Sequence, residues 1–79
     1  MLKETKDKSF FLAFCIEQYK QAKGMSGTDV AEMFFATGLA AYLTDNFEVL
    51  HTQSHQWIIE EIDEYLERRN ELWKFIMVV

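Results

Sequence analysis

The chain has no proline, one cysteine (Cys15) and three glycines in 79 residues. Without proline no helix is interrupted from within, so helix ends must be set by the glycines and by capping side chains. A single cysteine excludes an intrachain disulfide and any cysteine-based zinc framework, and nothing points to an oxidising compartment. No apolar run approaches the roughly 18 residues that span a bilayer. The longest early run, Phe10 to Ile16, is followed by Glu17-Gln18-Tyr19-Lys20 and not by a small-residue cleavage site, so it does not read as a signal peptide. There is no G-x-S-x-G elbow and no glycine-rich phosphate loop. The expectation is a soluble cytoplasmic protein with no cofactor, no membrane partner and no catalytic constellation, hence not an enzyme.

Positive charge is missing from the middle. Between Gly24 and Glu67 there are nine carboxylates and neither lysine nor arginine, while the flanks hold all eight basic residues against four acids. Binding a phosphate backbone depends on neutralising several phosphates with cations. Such a centre would repel nucleic acid and attract a cationic protein instead.

What is present is apolar and aromatic. Hydrophobic residues make up 49% of the chain, including seven Phe, three Tyr and two Trp, a composition that folds. A 60-residue domain buries only about 60% of the surface its unfolded chain exposes. At this size oligomerisation is a common source of extra stability.

Periodicity predicts helices throughout. From about Lys6 to Lys23, Phe11, Leu12, Cys15, Ile16, Tyr19 and Ala22 recur at spacings of three and four. Phe10 and Phe14 widen this stripe, which predicts a helix contacted on more than one side. Gly24 is its stop, with Lys20 and Lys23 favourable to the dipole in the last turn. Ser26 and Asp29 form an acidic capping box for a second helix, with Met25 and Val30 as hydrophobic staple, ending at Gly38. A short apolar helix follows from Leu39 to Leu43. Asp45 and Glu48 repeat the capping pattern before a helical turn at Asn46 to Leu50. Thr52 and Ser54 compete to cap the last helix, Ser54 being favoured. That helix places Ile58, Ile59, Ile62, Tyr65 and Leu66 on one side, and Glu60, Glu61, Asp63, Glu64 and Glu67 on the rest as a solvated face. Glu64 and Arg68 are a favourable i,i+4 pair. The fold class expected is all-α, a single domain over 1–79: three main helices in a small bundle, plus one or two short helical turns.

Candidate sites are few. His51 and His55 are four apart, as zinc ligands on one helical face are, and Glu48 offers a third ligand. A cap at Ser54 would break that face, so the preferred reading is a polar loop in which His51 bonds backbone groups, with no metal. Cys15 lies on the apolar stripe, where a thiol is inert. Val30 to Phe47 has the outline of a helix-turn-helix regulator, but bulky Phe34 sits where that motif wants a small residue. Its second helix would present Asp45 and no cation. The segment 70–79 is an apolar tail, either docked on the bundle or in an oligomer interface. Leu72, Trp73, Phe75 and Ile76 are its candidate contacts in a homodimer.

Phe14-Cys15-Ile16-Glu17-Gln18-Tyr19-Lys20, Ser26-Gly27, Phe34 before Gly38, Tyr42-Leu43 and Val49-Leu50-His51-Thr52-Gln53-Ser54 together resemble a family of short bacterial proteins of unknown function. The resemblance covers roughly residues 10–68. It implies no activity. Genes of this family often lie beside one for a larger domain similar to ADP-ribosyltransferases, which implies the small partner, or antitoxin-like companion, of a larger protein. It draws attention to His51, Thr52 and Ser54 as a docking edge. The function expected is a non-catalytic protein–protein interaction module. The alternatives are a metal- or ligand-binding protein using Glu48, His51 and His55, and a helix-turn-helix-like regulator.

Overall fold

A computed structural model describes the backbone of residues 2–78 and the side chains of residues 6–69. Five helices follow in order: α1 (Leu2–Lys23), α2 (Gly27–Ala36), α3 (Leu39–Asp45), α4 (Phe47–Leu50) and α5 (His55–Val78). There is no strand among the described residues, and the fold is the all-α bundle of three main and two short helices that the periodicity predicts. α1 packs on α2, α3 and α5, while α3 also touches α2, α4 and α5.

The ends follow from local chemistry. Gly24 stands at φ 64°, in the left-handed region, and the Met25 amide returns to the Lys20 carbonyl at 3.1 Å. This is the six-residue closure of a Schellman ending, which only a residue without a Cβ adopts cheaply. Ser26 is extended, and its Oγ accepts the Asp29 amide at 3.1 Å, so the serine half of the capping box forms. Gly38, at φ 81°, turns the chain from α2 into α3. Ser54 rather than Thr52 caps α5, accepting the Trp57 amide at 3.2 Å. Thr52 instead donates to the Val49 carbonyl at 2.8 Å, closing α4.

One capping expectation fails. Asp45 is the last residue of α3 and Asn46 the residue before α4, with no side-chain cap. Two helices share this junction. Asn46 Nδ2 donates back to the Tyr42 carbonyl at 2.8 Å, so the side chain serves the helix behind it and not the one ahead.

The core is assembled from every element: Phe11, Cys15 and Tyr19 of α1, Val30 and Phe34 of α2, Leu39, Ala40 and Leu43 of α3, Leu50 of α4, and Ile58 and Ile62 of α5. Met25 and Phe47 pack against it from the connections and short helix. Phe34, fully buried with its ring 5.8 Å from that of Tyr19, ties α2 to α1. Truncating such a buried ring costs about 3–5 kcal/mol. Phe11 meets Phe47 edge-on at 5.5 Å, which seats α4 beneath α1.

Candidate functional site

His51, Thr52 and Ser54 form an exposed turn between α4 and α5. His51 Nδ1 lies 2.6 Å from the Phe47 carbonyl, and its ring stacks on that of Phe47 at 4.4 Å with the planes 14° apart. With the Thr52 and Ser54 bonds, all three side chains are engaged by neighbouring backbone. His51 follows the end of α4 and His55 opens α5, with the Ser54 cap between them, so the two imidazoles do not share one helix and the i,i+4 face does not form. No group of three potential ligands comes together among the described residues.

The carboxylates of α5 divide into two sets, which corrects the uniform solvated face expected of them. Asp63 accepts the Tyr19 hydroxyl at 2.7 Å and the Lys23 ammonium at 2.8 Å, joining α5 to α1. Glu61 accepts the Tyr42 hydroxyl at 3.0 Å, joining α5 to α3. Desolvation pushes the Asp63 carboxyl up, but the Lys23 and Tyr19 hydrogen bonds and the Lys23 charge outweigh it, so its pKa lies below the usual value. Burial first, and then the Asp63 carboxylate, push the Tyr19 phenol well above its ordinary range. The signal for these ties was in the sequence: tyrosines on an apolar stripe need partners for their hydroxyls once buried. Glu60, Glu64 and Glu67 remain exposed, Glu64 bonded to Arg68. Asp29, Glu32, Asp45 and Glu48 are exposed as well.

Several large apolar side chains also face outward. Phe10 is 64% exposed and Phe14 43%, so among the described residues the side of α1 that carries these two rings is left uncovered. Phe35, Val49 and Trp57 are exposed too. Phe35 forms one lip of an open apolar groove of about 300 Å³, lined also by Leu12, Gly38, Ala40, Ala41 and Thr44.

Cys15 is completely buried, and desolvation raises its thiol to about 12. α3, the second helix of the helix-turn-helix outline, buries Leu39, Ala40 and Leu43 and leaves Ala41 and Asp45 exposed. Leu72, Trp73, Phe75 and Ile76 lie outside the residues whose side chains are described.

Fold and surface define a small all-α domain whose polar groups tie helices together and whose exposed carboxylates and aromatic rings face outward. Residues 10–69 match the family described as protein of unknown function DUF3791, and the chain belongs to that family. No curated protein and no solved structure matches the chain. No helix among the described residues is long and apolar enough to cross a membrane.

Proposed function

We propose that this chain is a non-catalytic, cytoplasmic interaction module that binds a cationic protein surface, as the small companion of a larger protein. The observation that carries the reading is the exposed set Asp29, Glu32, Asp45, Glu48, Glu60, Glu64 and Glu67, in a stretch of chain without lysine or arginine. Glu60, Glu64 and Glu67 follow one another at spacings of four and three, so they share one face of α5. Such a face steers a basic partner into register and rejects polyanions. The companion role accords with the gene arrangement that the family resemblance implies, and an acidic module suits a basic, nucleotide-binding cleft.

The test is purification of tagged protein from its native host, with the co-purifying protein identified and the experiment repeated on Glu60→Lys/Glu64→Lys. A basic partner retained by the wild type at low salt and lost from the variant supports the module. Tight, salt-sensitive retention of the wild type on heparin would overturn it.

A further inference from the structure

The exposed rings of Phe10 and Phe14 belong to a stripe that runs Lys6, Phe10, Phe14, Glu17 along α1 at spacings of four, four and three, so the four side chains share one face. Lys6 and Glu17 are exposed, and the Lys6 ammonium lies 5.9 Å from the centre of the Phe10 ring. Glu17 accepts from Gln21 at 2.9 Å and lies 3.5 Å from Lys20, and these neighbours lower its pKa, so it is ionised. The stripe has a cation at one end, an anion at the other and two aromatic rings between. A surface of that pattern is complementary to itself under a two-fold axis.

We propose that a second copy of this chain covers the stripe, the two α1 helices packing antiparallel about an axis between Phe10 and Phe14. In that register Phe10 of one protomer meets Phe14 of the other, and Lys6 of each faces Glu17 of its partner. A parallel pairing would oppose lysine to lysine and glutamate to glutamate, which costs affinity. Asp7, on the flank of the stripe, falls opposite uncharged Gln18 in the antiparallel register. Closed two-fold symmetry needs no second patch, because one surface serves both protomers. The second side contact that the broad apolar stripe of α1 predicts is thus made between chains. With two rings per protomer at its centre the contact is small, so the dimer is weak and depends on concentration. The proposal rests on the reading of the chain as an interaction module.

The test is sedimentation of the full chain over a wide concentration range. The weight-average mass should rise from 9.4 kDa towards twice that value. Phe10→Ser/Phe14→Ser should stay monomeric at every concentration while keeping its helical signal, since neither ring belongs to the buried core. Lys6→Glu and Glu17→Lys should each weaken the dimer roughly tenfold, and the double charge swap should restore it. Restoration separates this pairing from general stickiness. A wild type that stays monomeric, a swap that fails to restore, or a dimer indifferent to the phenylalanine variants but lost on deletion of residues 72–79 would overturn the proposal. If the monomer still retains a basic partner, the interaction module stands without this dimer.

Discussion

Replacing Tyr19 by phenylalanine isolates one hydrogen bond. The ring stays in place, buried between α1 and α2 against Phe34, so no cavity opens. Only the hydroxyl that donates to Asp63 at 2.7 Å is lost. A hydrogen bond to a charged group contributes about 1.5–3 kcal/mol. Asp63 keeps Lys23 as a partner and its side chain is 40% exposed, so water replaces part of the loss. The expected destabilisation is therefore about 1–1.5 kcal/mol, which for a domain of this size lowers Tm by roughly 5–10 °C. The pH dependence has a definite sign. Asp63 is held below its ordinary value of 3.8, so its contribution is present above that value and fades as pH falls through the folded one. Removing the hydroxyl brings the carboxyl back towards its ordinary value. The gap in Tm between wild type and Tyr19→Phe should then narrow under acid. Thermal melts by circular dichroism from neutral pH downwards measure both effects. A Tm within about 2 °C of wild type at neutral pH would refute the reasoning, and the α5 carboxylates would revert to an undifferentiated solvated face.

Gly38→Ala places a Cβ 3.2 Å from the Tyr65 hydroxyl at φ 81°, whereas Gly24→Ala at φ 64° meets nothing within 4 Å. Both should lose about 1–2 kcal/mol of stability to the strain of a Cβ in the left-handed region, with a larger loss at Gly38 because the Tyr65 hydroxyl must also shift by a few tenths of an ångström against the Thr37 carbonyl it holds at 3.0 Å. Equal melting points for the two variants would contradict this. Ser26→Ala and Ser54→Ala should each cost about 1 kcal/mol by denaturant titration, while Asp45→Ala, which caps nothing, should cost far less. The Cys15 thiol, buried and raised to about 12, should alkylate only as fast as the chain opens, so its labelling rate should track stability across variants. Zinc or cobalt at moderate excess should leave Tm unchanged, because His51 lies in the turn before α5 and shares no helix with His55; a clear rise would reinstate Glu48, His51 and His55 as ligands.

The helices and most of their ends were legible in the residues. The three-and-four spacing of Phe11, Cys15 and Tyr19, the glycine after Lys23, and a serine three residues before Asp29 and before Trp57 are local signals. Local hydrogen bonds answer them. The expected Asp45 cap does not form because Asn46 stands at the junction of two helices and its side chain bonds the one behind, and a local pattern cannot show which helix claims it. The candidate site was less legible. His51 could be placed in a polar turn from the cap that follows it, but not its stacking on Phe47. Phe10 and Phe14 look like core by hydrophobicity, and only packing shows that α1 turns that side outward.

Sequence by itself determined the secondary structure and the charge asymmetry, since each depends on neighbours within a few positions or on composition. Tertiary structure alone decided which carboxylates became ties and which stayed at the surface. Asp63 lies 44 residues from Tyr19, and Glu61 lies 19 from Tyr42. No local pattern carries those distances. They are set by how the helices cross, and the crossing is fixed by the joint burial of side chains from all five.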